Sequence, residues 1–174
     1  EVIVPVNTFI ASAASIVTAG LKPVFVDTND KFVIDPMKIE EKITKKTKAI
    51  LPVHFSGQPC DMITILQMAD DHDLKVVEDA AQAANAKSNA GPCGAVGDVG
   101  CVSFHPQKNL NCWGDGGAIL TDDKQLYDKL ALYRNHGMLN RDTYAFASRN
   151  SRLDSVNAAV LNYFMDQLPA HNDF

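Results

Sequence analysis

Lys108 is the residue of this sequence whose position most strongly suggests covalent chemistry. The stretch from residue 99 to residue 117 reads VGCVSFHPQKNLNCWGDGG, so an apolar run presents one lysine and then breaks into glycines. A buried ammonium without a partner is unfavourable, because it loses its hydration. We therefore predict that the Lys108 amine forms a Schiff base with an aldehyde cofactor.

Asp79 is the second candidate, because it ends the apolar strand in KVVEDAAQA. A carboxylate in such a place needs a cation nearby to offset its lost hydration. A pyridinium nitrogen would serve, since a nearby carboxylate keeps that nitrogen protonated and lets the ring accept electrons. Capping of a following helix, or pairing with a lysine or arginine, would explain the same residue.

Weaker candidates lie near the same strand ends. Ser103 could donate to a phosphate and Phe9 could stack on a flat ring, although a strand-end serine and a core phenylalanine are the ordinary explanations. Gln82 taken alone is uninformative. The histidines are interpreted as structural rather than catalytic: His54, His105 and His136.

The hydrophobic pattern supplies a scaffold that can bring these residues together. Apolar runs predict strands at residues 1–5, 23–27, 48–53, 74–77, 99–104 and 118–121. Helices are predicted from Thr8 to Gly20, over 36–43, after Asp61, over 123–136 and over 154–168. The first of them has a face of small residues that can pack closely, formed by Ala11, Ala14, Ser15 and Thr18.

Alternating strands and helices predict parallel pairing with right-handed crossovers, and hence a layered α/β domain. Ligands of open α/β sheets bind beyond the carboxyl ends of the strands. Residues 7–9, 79–82 and 103–108 each follow a predicted strand, so we expect them to converge on one rim.

The composition indicates one ordinary globular domain, with 46% hydrophobic and 21% charged residues in 174. A net charge of -5 disfavours nucleic acid and anionic membranes as partners. No signal peptide and no apolar run of about 18 residues is present. The four cysteines are Cys60, Cys93, Cys101 and Cys112, and they show no CxxC spacing. We therefore expect them to be free thiols in a reducing cytoplasm and not to form a metal site.

Several motifs in order resemble one family. VEDAAQA, GDVGCVSFHPQKNLNCWGDGGAILT, LYRNHG and NSRLDSVNAAVL are similar to the DegT/DnrJ/EryC1/StrS family of pyridoxal-phosphate-dependent sugar aminotransferases, within fold type I. EVIVPVNTFIASAASIVTAGLKPVFVD and TKAILPVHFSGQPCDM match as well, so the resemblance extends to about residue 168. It implies a three-layer α/β/α sandwich with a mostly parallel sheet.

The resemblance also implies that residues 1–174 are the cofactor-binding large domain, without the N-terminal phosphate-binding segment and the C-terminal small domain of the family. The final segment PAHNDF matches no family pattern. The resemblance implies that Lys108 carries the cofactor, that Asp79 pairs with its pyridine nitrogen and that Gln82 forms a hydrogen bond with its ring hydroxyl. Ser103 would bind its phosphate, and Phe9 and Ala81 would pack on the two faces of its ring. Asn150, helped by Arg152, would reach the phosphate from a neighbouring subunit. Such shared sites imply an obligate homodimer.

The implied activity is transfer of an amino group from glutamate to a nucleotide-linked keto-sugar, with pyridoxal 5'-phosphate as cofactor, in amino-sugar biosynthesis. Some dehydratases of the family have histidine in place of this lysine, so Lys108 favours transfer. A nicotinamide-binding Rossmann domain is disfavoured, because no GxGxxG follows the first strand. A non-catalytic relative or fragment, serving as an oligomerisation or regulatory module, is the alternative.

Overall fold

Six strands form one sheet in the computed structural model, which describes residues 1–168; the PAHNDF segment lies outside the described residues. The strands are β1 (Val2–Pro5), β2 (Pro23–Val26), β3 (Ala49–Ile50), β4 (Lys75–Asp79), β5 (Val99–Ser103) and β6 (Gly117–Leu120). Their order is β2-β1-β3-β4-β5-β6. The first five strands in this order pair in parallel, and β6 is antiparallel to β5. A separate hairpin pairs β7 (Met138–Asn140) with β8 (Thr143–Tyr144).

Four α-helices accompany the sheet: α1 (Ile10–Thr18), α2 (Met62–Asp71), α3 (Lys124–Tyr133) and α4 (Ser155–Met165). Their boundaries follow from local chemistry. The side chains of Asp61 and Asp123 accept hydrogen bonds from backbone N–H groups in the first turns of α2 and α3. Gly20 follows α1 with a φ of 74°, a conformation that costs glycine little. None of the helices described has the length and apolarity needed to cross a bilayer.

Side chains alternate across the sheet and bury both of its faces. Ile50 and Val76 pack with Ile65 of α2 in one hydrophobic cluster. Val4 and Val53 pack with Ile16 of α1 in another. Helices therefore cover opposite faces, which gives the layered α/β arrangement with a mostly parallel sheet that the sequence predicts.

Two predicted elements are wrong in extent. The helix predicted over residues 36–43 is instead a pair of 3-10 helices, Pro36–Lys38 and Glu40–Lys42, and it ends one residue early because Ile43 is extended. The strand predicted over 48–53 pairs only at Ala49–Ile50, followed by a single bridge between Val53 and Asp79. Pro52 has no N–H group to continue the ladder.

The predicted packing face of the first helix is also wrong. The helix begins at Ile10, and the residues buried on it are Ser12, Ala13 and Ile16. Burial of Ile16 in the core sets the rotation of the helix. This rotation directs Ser12 towards the sheet, where its hydroxyl contacts Asp79.

Candidate active site

The carboxyl ends of β1, β4 and β5 lie at the same edge of the sheet. Val53, just beyond β3, bridges to Asp79, and Asp79 pairs with Cys101 of β5. Ser103 therefore ends the strand beside Asp79. On the other side, Phe9 precedes α1, whose residue Ser12 touches the Asp79 carboxylate. The structure thus brings the segments after these strands to one edge, as the sequence predicts.

Asp79 is a half-buried carboxylate with a hydrogen-bond donor on each oxygen. Its Oδ2 accepts from the Ser12 hydroxyl at 2.7 Å, and its Oδ1 accepts from the Ala81 N–H at 3.1 Å. Neither donor carries a charge. Within residues 1–168, no lysine, arginine or histidine nitrogen lies within 4 Å of it. The carboxylate is oriented but not neutralised.

Lys108 lies half-buried in the loop that follows β5. Its backbone is fixed by two hydrogen bonds, from its N–H to the His105 carbonyl and from the Asn111 amide to its own carbonyl, both at 2.9 Å. Its ammonium has no ion-pair or hydrogen-bond partner in the described part of the chain. No protein group among the described residues therefore occupies the Lys108 nitrogen.

The loop that carries Lys108 is fastened to the segment that follows Asp79. The side-chain amide of Asn109 donates to the Ala84 carbonyl at 2.9 Å. Below the loop, Leu110 and Cys112 are buried in an apolar cluster with Leu161 of α4. These contacts hold the lysine segment against the edge on which Asp79 lies.

Gln82 and Ser103 each keep a hydrogen-bonding proton available at this edge. The Gln82 Oε1 accepts from the Ser56 N–H at 2.6 Å, which fixes the orientation of the amide and leaves its NH₂ group as donor. The Ser103 oxygen accepts from the His105 N–H at 3.3 Å, which leaves its hydroxyl proton to donate. The Phe9 ring is 67% exposed, so one of its faces is open to a ligand.

Asn150 is not joined to this cluster by any hydrogen bond among the described residues. Its Oδ1 accepts from Arg152, with a distance of 3.1 Å to Nε, and its backbone forms a bridge with Asn135. The side chain is exposed. A role for Asn150 in a neighbouring subunit stays a prediction.

Sequence reasoning missed Glu78, the residue beside Asp79. Glu78 and His54 are both fully buried, and His54 Nε2 lies 2.9 Å from Glu78 Oε2. Three backbone N–H groups also donate to this carboxylate, those of Gly94, Val96 and Gly97, at 2.8, 2.8 and 2.7 Å. Burial by itself would raise the pKa of Glu78, but the hydrogen bonds from His54 and the loop hold it below its ordinary value.

The partners of His54 identify its tautomer. Its Nδ1 accepts from the Cys60 N–H at 3.1 Å, so the ring proton must lie on Nε2 and be donated to Glu78. The imidazole is therefore neutral and both of its nitrogens are occupied. His54 is structural, as the sequence analysis interprets it.

Sequence reasoning also missed the hydroxyls of Thr8 and Ser12. Their oxygens lie 2.7 Å apart, and Ser12 donates to Asp79. The available signal was their spacing of four residues near the start of a helix, which places them on one face.

All four cysteines are free thiols, and burial makes two of them, Cys60 and Cys93, unsuitable as nucleophiles. Burial raises the pKa of Cys60 to about 12 and that of Cys93 to about 11. Both thiols are therefore protonated at neutral pH and unreactive.

The groups at this edge fit pyridoxal phosphate. Such a ligand needs an unpaired amine for its aldehyde, a carboxylate for its ring nitrogen, a donor for its ring hydroxyl and donors for its phosphate. Lys108, Asp79, Gln82 and Ser103 supply these groups, and the first two are the unpaired ones.

Comparison with known proteins gives an independent result. The DegT/DnrJ/EryC1/StrS aminotransferase family model matches residues 1–173. The UDP-N-acetyl-3-dehydro-alpha-D-glucosamine 3-aminotransferase of Acidithiobacillus ferrooxidans is 46% identical, over 99% of this chain and 47% of that protein. The pleiotropic regulatory protein of Geobacillus stearothermophilus is 47% identical, over 93% of this chain and 44% of that protein.

A solved structure with the same fold is also similar to this chain. The crystal structure of Streptomyces venezuelae DesV in complex with a ketimine intermediate superimposes with a TM-score of 0.93 at 42% identity, covering 98% of this chain and 46% of that one. The chain spans about half the length of the curated relatives it matches.

Proposed function

The chain belongs to the DegT/DnrJ/EryC1/StrS aminotransferase family, and from this premise we propose that it binds pyridoxal 5'-phosphate and transfers an amino group to a nucleotide-linked keto-sugar. The relatives support the reaction class, since one is a UDP-sugar 3-aminotransferase and another structure holds a ketimine intermediate. For this chain the proposal rests on its own residues.

One observation carries the proposal: a lysine and an aspartate of opposite charge are both left unpaired at one edge of the sheet. Neither side chain has a charged partner in the described residues, although each is half-buried. Unpaired charge in a partly desolvated place is costly, unless a ligand completes it. A ligand with both an aldehyde and a protonated ring nitrogen would bind the lysine through the first and the aspartate through the second.

The cofactor, when bound, supplies an electron-accepting ring and an aldehyde carbon that can take up the amino group. Lys108 would hold that carbon through its Nζ. The Nζ of Lys108 would also serve as general base and general acid, moving a proton at the α-carbon of the amino donor. Asp79 keeps the ring nitrogen protonated by placing a negative charge beside it.

The remaining candidates orient the cofactor. Gln82 donates to the ring hydroxyl through the NH₂ group that Ser56 leaves free, and Ser103 donates to the phosphate. Phe9 and Ala81 pack on opposite faces of the ring. Asn150, with Arg152 bonded to its amide oxygen, contributes to the phosphate site of a neighbouring subunit in a homodimer.

The amino donor in this proposal is glutamate, and the product is an amino sugar. A second candidate function is regulatory and non-catalytic. It is favoured by one relative of 47% identity, which carries the name pleiotropic regulatory protein. The two functions differ in whether Lys108 reacts with the cofactor.

The deciding experiment is to mix the chain with pyridoxal phosphate, reduce the mixture with borohydride and map the modified peptide by mass spectrometry. We expect a visible absorbance band before reduction and a modification at Lys108 afterwards. Lys108→Ala abolishes both, whereas the matched variant Lys87→Ala, at an exposed lysine of another loop, retains both. Absence of the band in the wild type, or modification spread over surface lysines, would support the regulatory candidate.

A further inference from the structure

Two hydroxyl groups at the start of α1 form a chain that ends on Asp79. Ser12 Oγ lies 2.7 Å from Asp79 Oδ2, and Thr8 Oγ1 lies 2.7 Å from Ser12 Oγ. Ser12 is 4% exposed, so water does not compete for its hydroxyl. The interaction joins residues 67 positions apart in sequence.

The direction of both hydrogen bonds follows from the number of protons. An ionised carboxylate only accepts, so Ser12 must give its single hydroxyl proton to Asp79. Ser12 then has only lone pairs left for Thr8, so Thr8 is the donor in the second bond. The chain runs from Thr8 to Ser12 to Asp79, and each bond polarises the next.

A purely local role does not account for this arrangement. A serine inside a helix commonly donates to the carbonyl four residues earlier, and one near the start commonly caps the free N–H groups. Ser12 does neither, and the first turn of α1 has no side-chain cap at Phe9. The hydroxyl of Ser12 is directed instead at the Asp79 carboxylate.

We propose that Ser12, supported by Thr8, is a positioning residue that holds the Asp79 carboxylate in place for the ring nitrogen of the cofactor. Together with the Ala81 N–H on Oδ1, the Ser12 hydroxyl on Oδ2 fixes the plane of the carboxylate from both sides. Each oxygen keeps a lone pair for the ligand. This inference rests on the proposed function and adds two residues to its site.

The test compares two ligands, pyridoxal phosphate and its 1-deaza analogue, in which a C–H group replaces the ring nitrogen. If Ser12 acts through Asp79 on that nitrogen, Ser12→Ala weakens binding of pyridoxal phosphate about 10-fold and leaves the affinity for the deaza analogue unchanged. Ser12→Thr keeps the hydroxyl and restores the wild-type ratio of the two affinities. Thr8→Val, which removes the second bond, lowers the ratio about 3-fold.

Ser15→Ala is the matched control, because this exposed hydroxyl lies on the same helix and donates only to the Ser12 carbonyl. It should leave the ratio unchanged, and thermal melting confirms that each variant is folded. Equal losses for both ligands in Ser12→Ala would show that Ser12 only packs, and would overturn this inference alone. If the wild type binds neither ligand, the proposed function fails and this inference fails with it.

Discussion

Glu78 and Asp79 are consecutive residues of β4, but their carboxylates lie in contrasting surroundings on opposite faces of the sheet. Glu78 is fully buried and accepts from His54 and three backbone N–H groups. Asp79 is half-buried and accepts from one hydroxyl and one N–H. The first carboxylate has every lone pair engaged, and the second has lone pairs left over.

The difference separates a structural acid from a functional one. The donors around Glu78 come from the loop after Ala90 and from the segment before α2, so this carboxylate ties two loops to the sheet. The donors around Asp79 orient its carboxylate but do not neutralise its negative charge. Both are acids at the end of an apolar strand, and their burial and the number of donors around them distinguish them.

The largest expected effect comes from replacing the saturated acid. In Glu78→Gln, one of the two oxygen positions becomes an NH₂ group. In wild type, Oε2 accepts from His54 and Gly94, and Oε1 accepts from Val96 and Gly97. In either orientation of the amide, its NH₂ group therefore faces two N–H donors and no acceptor. We expect a loss of about 3 kcal/mol in the free energy of unfolding, measured by urea denaturation at pH 7.

A smaller effect on stability, and a larger one on binding, is expected at the neighbouring residue. In Asp79→Asn, the amide oxygen can still accept from the Ala81 N–H, and the amide NH₂ can donate to Ser12, whose hydroxyl turns towards Thr8. The free energy of unfolding should change by less than about 1 kcal/mol. The affinity for pyridoxal phosphate, measured by absorbance titration, should fall about 10-fold or more, because the negative charge is lost.

These two amide variants are controls for each other, since both remove one negative charge from β4. Equal destabilisation by the two would contradict the distinction between a saturated and an open carboxylate. An unchanged cofactor affinity in Asp79→Asn would contradict the role of Asp79, whatever the outcome at Glu78.

Much of the fold is readable from the sequence, because each strand of the six-stranded sheet carries a contiguous apolar run. β1 and β5 lie within their predicted segments. Prediction failed where a single residue overrides the hydrophobic pattern, as Pro52 does by ending β3 early. The hairpin of β7 and β8 is not predicted, since its strands are only three and two residues long and mostly exposed.

The site was readable in part, for a related reason. Lys108 and Asp79 were recognisable because a charge at the end of an apolar run is anomalous within its own segment. Ser12 was missed because its partner is distant in sequence, and the donors to Glu78 were missed because backbone N–H groups leave no trace in residue types. Contacts made by main-chain atoms or across long sequence separations require coordinates.

The smallest expected effect is a pH dependence of the difference in unfolding free energy between wild type and Glu78→Gln. The pKa of Glu78 is held below its ordinary value in the folded protein, whereas an unfolded chain has about 4.3. Its stabilising contribution is therefore complete above about pH 5 and is lost as the pH falls through the lower, folded pKa. The gap in unfolding free energy between the two proteins should narrow steadily from pH 5 to pH 3. His54 and Cys93 lie beside residue 78 in both proteins, and the other acids that stabilise the fold are also common to both. Subtracting the two urea series thus isolates Glu78 together with its contact to His54, and a gap independent of pH would mean that the hydrogen bonds of Glu78 do not favour its ionised form.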